Sequence, residues 1–363
     1  MTFALSHAAS VDNADPREVR ARRLTLLLIA ALVVTCGASV MFGASGTSVT
    51  KVLGQLWRGE EIALIDQIVL LQVRIPRMVL GVLVGASLAV SGAVMQGLFR
   101  NPLADPGLVG VSAGASLGAI TAIVLGGFLP AAALAFVGGW LVPAAAFVGG
   151  WGATMALYAV ATRSGRTSIA TMLLAGIALG ALTGAISGIL VYRANDNQLR
   201  DLTFWGMGSL AGANWPKVLS AAPLIVIALA VAPFLARSLN ALALGEAAAA
   251  HMGIPVQKMK SVAILTVAGA TGAAGGGAAV AVSGGIGFIG IVVPHLLRLA
   301  AGPDHRHLLV NAGLLGAIVL LLADMISRTI VAPAELPLGI VTAVLGGPVF
   351  LWVLLRQRGV VDL

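Results

Sequence analysis

The sequence predicts an all-α, polytopic membrane protein of about ten transmembrane helices, and three observations predict it. Of the 363 residues, 59% are hydrophobic and only 10% are charged, whereas a soluble domain carries about 25% charge. The apolar residues gather in runs of about 20, the length that spans a bilayer. The net charge of +8 falls between these runs with a bias to one side, so it orients the chain and gives no reason to invoke nucleic acid.

Residues 1–23 are polar and read as a cytoplasmic tail, and residues 24–363 as a single transmembrane domain. The run 24–42 has no convincing small-residue cleavage site and reads as a retained first helix, not a signal peptide. Residues 43–72 are mixed and fall outside, and 75–96 form the second span. No charge occurs from 106 to 162, which is room for two spans and a connection. Inside it Ala-Phe-Val-Gly-Gly-Trp occurs at 135–140 and again at 146–151, which blurs where the fourth helix begins. Residues 167–191, 218–236 and 261–282 are the fifth to seventh spans. The run 286–297 is about half a span, and 308–331 and 338–355 complete the set. Nine Gly between Gly269 and Gly290 predict close packing, then a backbone break near Gly284 and Gly285. The single cysteine, Cys36, rules out an intramolecular disulfide and a Cys-based metal cluster, and reads as a small buried residue.

With the N-terminus inside, eight of the 22 Lys and Arg fall outside: Lys51, Arg58, Arg74, Arg77, Arg193, Arg200, Lys217 and Arg328. The rest fall inside, which is the sign the positive-inside rule demands. Both termini are then cytoplasmic, in a multi-pass protein of the cytoplasmic (inner) membrane. Residues 237–260 land on the inner face, where Gly245 and Gly253 punctuate good helix formers. They predict one or two short helices at the membrane surface, serving either as a connector or as a docking element.

No Gly-x-x-x-x-Gly-Lys-Ser/Thr and no Gly-Lys pair occurs, so the chain has no P-loop to cradle nucleotide phosphates. If ATP drives it, a separate subunit holds the ATP. No catalytic cluster stands out, which argues against an enzyme.

Arg74 and Arg77, three residues apart, share a face at the outer lip of the second span, and Arg328 lies at the outer end of the ninth. They are either lipid anchors or receptors for acidic groups of a partner. Asp324 is the one acid well inside a span. A lone carboxylate there costs about 2.5 kcal/mol or more, so it calls for Arg328, one helical turn on, as an intramembrane ion pair. The sharper alternative is a proton or ion site. Gly176, Gly180, Gly184 and Gly188 form a smooth stripe for helix packing or pore lining. Residues 100–106 make a polar turn between two Pro.

Several stretches together carry a resemblance: Leu-Asn-Ala-Leu-Ala-Leu-Gly-Glu at 239–246 with Ala-His-Met-Gly at 250–253, Arg-Ile-Pro-Arg at 74–77, and Asn-Pro-Leu-Ala-Asp-Pro at 101–106. Pro-His-Leu-Leu-Arg at 294–298 and Gly-Pro-Asp-His-Arg at 302–306 add to it. From about Arg74 to Arg356 the chain resembles the type II ABC importer permeases for iron-siderophores, haem and cobalamin. The resemblance implies that fold, and a homodimer in the lipid membrane. It also implies two cytoplasmic ATP-binding subunits that carry ATP and Mg, and an extracytoplasmic substrate-binding protein. No cofactor or metal is then bound by this chain itself.

Carried over residue by residue, the resemblance makes Leu239, Leu242, Leu244, Gly245, Glu246, His251 and Gly253 the ATPase-coupling set. Arg74, Arg77 and Arg328 meet carboxylates of the binding protein. Asn101 and Leu103, and on a looser match Thr167 and Ser168, narrow the cytoplasmic end of the pathway. The Gly176–Gly188 stripe lies along the passage between identical subunits. Residues 196–200, 204–210 and 331–337 look closest to haem permeases, and Arg200 could attract a propionate. All five His fall inside, so none is offered outward to haem iron. Ferric siderophore and cobalamin stay open as cargo. An ion-coupled secondary transporter built on Asp324 is the rival from another class.

Overall fold

The computed structural model describes residues 16–43, 49–132, 138–271, 279–332 and 334–361, and nearly all of them are helical. The first helix, α1 (Pro16–Met41), starts inside the expected polar tail. Pro16 suits a first helical turn because its missing N–H would be unpaired there anyway. Glu18 and Arg22, one turn apart, close an ion pair at 2.6 Å. Residues 16–23 are therefore helix; the rest of the expected tail lies outside the described residues.

The expected outer connection holds two short helices, α2 (Val49–Trp57) and α3 (Leu64–Ile68). From α3 the chain passes through a π-turn, Val69–Arg74, directly into α4 (Ile75–Phe99). The widened turn precedes Pro76, which has no N–H to give to the turn before it. The second span thus belongs to a continuous helix of 36 residues, Leu64–Phe99.

α4 is the axis of the bundle. Around it pack α9 (Trp215–Val231), α12 (Val256–Thr271), α14 (Ile289–Ala301) and α15 (His305–Thr329), with α1 laid against α15. Small residues let the backbones meet. A methyl added to Gly92 would sit 1.9 Å from the Gly290 carbonyl oxygen, and one on Gly85 would sit 2.4 Å from that of Gly316. Beside this group, α5 (Val111–Leu125), α6 (Leu141–Ala161) and α7 (Ile169–Arg193) pack on one another. Half of the first copy of the repeated hexapeptide lies outside the described residues, Gly138–Trp140 form a 3-10 turn, and the second copy lies within α6, which begins at Leu141.

Between α6 and α7 the chain makes a two-stranded hairpin, Thr162–Arg163 paired with Arg166–Thr167. Ser164 and Gly165 turn it with φ of 51° and 73°, the left-handed pair that a tight hairpin requires. The fifth span therefore starts at Ile169, not at Thr167. Ser168 caps it by accepting the Thr171 N–H at 3.2 Å. α8 (Asp196–Met207) fills the expected outer loop, held by a capping box between Asn195 and Gln198.

After α9 a 3-10 turn, Ala232–Leu235, leads to α10 (Ala236–Ala243) and, past Gly245, to α11 (Glu246–His251). Two short helices were expected here, and two form. α12 and α13 (Ala279–Ser283) flank residues 272–278, where several of the expected glycines lie outside the described residues. The break comes at Gly284, with φ of 72°, ahead of the 13-residue α14. α16 (Leu338–Val361) ends the chain.

Among the described residues, seven helices are long and apolar enough to cross a membrane, with shorter apolar helices at α14 and α16. Leu26, Val34, Leu174, Ile177, Ile227 and Val344 stand exposed on outward faces, a surface suited to lipid. α4 and α15 run antiparallel, since Arg77 meets Asp324 at one end and Gly97 faces His305 at the other. At about 1.5 Å per residue, the 20 residues from Arg77 to Gly97 hold these contacts roughly 30 Å apart.

Candidate functional site

One end is built on arginine. Arg77 reaches Asp324 through Nη2 at 2.8 Å and Nε at 3.1 Å, and grips Glu335 with Nη1 at 2.8 Å and Nη2 at 2.9 Å. Arg328 stands 3.4 Å from Asp324 and donates to both the carbonyl and the hydroxyl of Ser39 at 2.9 Å. Arg74 turns to the carbonyls of Val40 and Met41, capping the end of α1. The loop carrying Glu335 is pinned by the Leu336 N–H on the Ser327 carbonyl at 3.0 Å, and by the Ser327 hydroxyl on the Leu336 carbonyl.

One expectation is corrected here and another is extended. The three arginines are not snorkelling anchors, because Arg74, Arg77 and Arg328 are only 3%, 6% and 3% exposed and turn inward. The expected pair of Asp324 with Arg328 forms, at 3.4 Å, and Arg77 is a second and nearer partner at 2.8 Å. Fully buried between two guanidinium groups, Asp324 is an ion-pair knot and not an open ion site. Glu335 was missed; its signal was an acid in a short loop beside three cations.

The opposite end carries α10, α11, the 162–167 hairpin and the turn after α4. Leu239 and Leu242, expected to touch a partner, are fully buried and hold α10 to the bundle. The apolar face of so short a helix is used up inside. Leu244, His251, Met252 and Gly253 are exposed and Glu246 half-buried. Gly245 turns the elbow with φ of 108°, where a side chain would be strained.

Asn240, also unforeseen as an anchor, ties α10 to the start of α15. Its Oδ1 accepts the His305 N–H at 3.0 Å, and its Nδ2 donates to Asp304 Oδ1 at 2.7 Å. Burial alone would raise the Asp304 carboxyl, but bonds from the Arg306 N–H and Asn240 hold it below the usual range.

Arg100, left-handed with φ of 51°, closes α4, and Asn101 Oδ1 accepts the Leu103 N–H at 2.9 Å. Asn101 is exposed and Leu103 half-buried. Asp105 accepts the Gly107 N–H at 2.7 Å, while burial pushes its carboxyl up. Thr167 is buried in the hairpin and Ser168 is exposed beside it. The four expected gate residues thus sit at one end, but on two separate turns.

Of the glycine stripe, Gly176 alone meets a neighbour, the Leu108 carbonyl. Among the described residues, Gly180, Gly184 and Gly188 face nothing within 4 Å. That side of α7 is open in a single chain. Arg200 lies exposed on α8. Among the described residues no group of three His, Cys, Asp or Glu is placed to hold a metal.

Residues 28–356, nearly the whole chain, match the FecCD transport family. The chain belongs to the FecCD transport family. It is 44% identical to the hemin transport system permease HmuU of Yersinia pestis, over 92% of this chain and 96% of that one. It is 40% identical to the cobalamin import system permease BtuC of Halobacterium salinarum, over 95% of this chain and 91% of that one. A solved metal-chelate type ABC transporter in an inward-facing conformation matches with a TM-score of 0.76 and 29% identity, covering 92% of this chain and 99% of the other. The FecCD chain is accordingly an ABC importer permease with the type II fold, a multi-pass membrane protein.

Proposed function

We propose that this FecCD permease works as a homodimer that imports haem, driven by two ATP-binding subunits at the α10–α11 end and supplied by a binding protein at the arginine end. The observation that carries the reading is the pair of exposed side chains Leu244 and Met252 beside the Gly245 elbow, next to a largely buried α10 in a chain that has no P-loop. A rigid apolar projection on a rigid base is what a partner subunit can push. ATP and Mg belong to that partner, and this chain holds no cofactor.

Placed in the membrane by the positive-inside bias, the elbow and both termini face the cytoplasm. Leu239 and Leu242 brace the elbow, and Leu244, Gly245, Glu246, His251 and Gly253 meet the ATPase. Asn101, Leu103, Thr167 and Ser168 border the cytoplasmic end of the pathway. Gly180, Gly184 and Gly188 pack against a second copy of the chain, as the open side of α7 supports. At the arginine end, a carboxylate of the binding protein reaches Arg77 by displacing Glu335. That side chain is 30% exposed, against 1% for Asp324.

Haem is favoured as cargo by the likeness to the hemin permease and by Arg200, which stands one turn before the exposed Phe204 on α8. Cation and aromatic together suit a flat macrocycle with acidic substituents. Cobalamin is the second reading, favoured by the likeness to cobalamin permeases. The test is reconstitution in liposomes with the ATPase, using haem-, cobalamin- and siderophore-loaded binding proteins in turn. Uptake should need internal ATP and be fastest with haem. Accumulation by the chain alone, abolished by an uncoupler, would refute the importer reading.

A further inference from the structure

At the α10–α11 end a buried lysine touches both the elbow and the hairpin. Lys260, on α12, is 2% exposed, although its charge has no role in packing. Its Nζ lies 2.8 Å from Glu246 Oε1 and donates to the Thr167 carbonyl at 3.0 Å. One turn earlier on the same helix, Gln257 Oε1 accepts the Thr167 N–H at 2.9 Å. The two side chains, three residues apart and so on one face, thereby hold both the N–H and the carbonyl of one residue. Next along α12, Ser261 shares a hydrogen bond of 2.7 Å with the Tyr158 hydroxyl at the end of α6.

Taking an ammonium group out of water costs several kcal/mol unless it is well paired, and a Met or Leu would fill the same slot without that cost. The charge instead joins two separate parts of this end, the elbow and the hairpin. Glu246 is the first residue of α11, just past the Gly245 elbow. Thr167 ends the hairpin, and Ser168 after it caps α7. A displacement of α11 therefore reaches the start of α7 through two polar contacts of one side chain, braced by Gln257.

We infer that Lys260 is a positioning residue that transmits movement of the α11 elbow to the Thr167–Ser168 turn, so that the pushed surface and the end of the pathway shift as one piece. The inference rests on the proposed reading that α10–α11 receives the ATPase and that Thr167 and Ser168 border the pathway. A merely structural Lys260 would lower assembly, hydrolysis and import together. A transmitting one separates them.

The test uses the full complex of permease, ATPase and binding protein in liposomes, and reads cargo imported per ATP hydrolysed. In Lys260→Met the ATPase should co-purify at the wild-type ratio and keep hydrolysing ATP, while import per ATP falls about tenfold. Gln257→Leu removes the other grip on Thr167 and leaves the ion pair, and the ratio should fall about threefold. Should Lys260→Met fail to fold, Gln257→Leu decides alone, and a wild-type ratio there overturns the inference. A wild-type ratio in Lys260→Met, or a loss shared equally by hydrolysis and import, overturns it too. If the unmodified permease retains no ATPase, the functional reading itself falls, a failure recognisable because it precedes any substitution.

Discussion

Arg77 and Asp324, 247 residues apart in the chain, meet in a buried pair whose closest approach is 2.8 Å. The pair joins the first turn of α4 to the last turns of α15, and Glu335 and Arg328 complete it from either side. Two helices that touch along their length through glycine are thus also pinned by charge at one end.

Removing one partner of such a pair leaves the other buried and uncompensated. Arg77→Met should lower stability by about 3–5 kcal/mol. Asp324→Leu should be destabilising too, and Arg77→Met combined with Asp324→Leu should cost clearly less than the sum of the two single losses, because the contact between the two residues is lost only once. Thermal unfolding in detergent checks this, and single losses that simply add in the double variant would contradict the pairing.

Glu335 is the exposed member of the group and the one a docking carboxylate must replace. Glu335→Gln weakens its hold on Arg77, so the binding protein should dock about threefold more tightly or better. A titration showing unchanged or weaker docking would exclude this exchange.

The glycines separate into two kinds. Gly92→Ala forces a methyl to within 1.9 Å of the Gly290 carbonyl oxygen, and α4 must move off α14. Overpacking of this sort costs about 1–3 kcal/mol or more, so yield and melting temperature should drop. Gly184→Ala meets nothing within 4 Å among the described residues and should leave the melting of the isolated subunit unchanged. Gly184→Leu should shift the dimer toward monomer on size-exclusion chromatography, if α7 faces a second copy.

Asp304 caps α15 and accepts a bond from Asn240 of α10. Asp304→Ala should cost about 1 kcal/mol. Its folded-state carboxyl titrates below the ordinary range. Its contribution is therefore complete above the unfolded carboxylate value and is lost as pH falls through the lower folded value. Melting curves of wild type and Asp304→Ala should converge in acid and separate toward neutral pH. Curves that stay parallel would exclude the carboxylate's role.

Much of the fold was legible because run length and charge bias are local properties. The runs that became α4, α9 and α15 could be placed by apolar length alone, and Gly284 marked the break before α14. The 162–167 hairpin and α8 were missed, since each depends on capping and turn bonds shorter than any hydropathy window. At the site, the elbow at Gly245 was visible as a glycine between helix formers. Which leucines face outward was not: Leu239 and Leu242 are buried while Leu244 is exposed, and that depends on what the rest of the bundle places beneath α10.

The sequence by itself determined that this chain lives in lipid, roughly where its apolar spans fall, and that it holds no P-loop, because hydrophobic length and motif spacing need no partner to be read. Only the tertiary structure decided that Arg77 answers Asp324, that Glu335 joins them, and that Lys260 spans from Glu246 to Thr167. Each of those is a contact between residues distant in the chain. Burial makes such contacts matter, because a charge removed from water must find its counterpart wherever the fold has brought one.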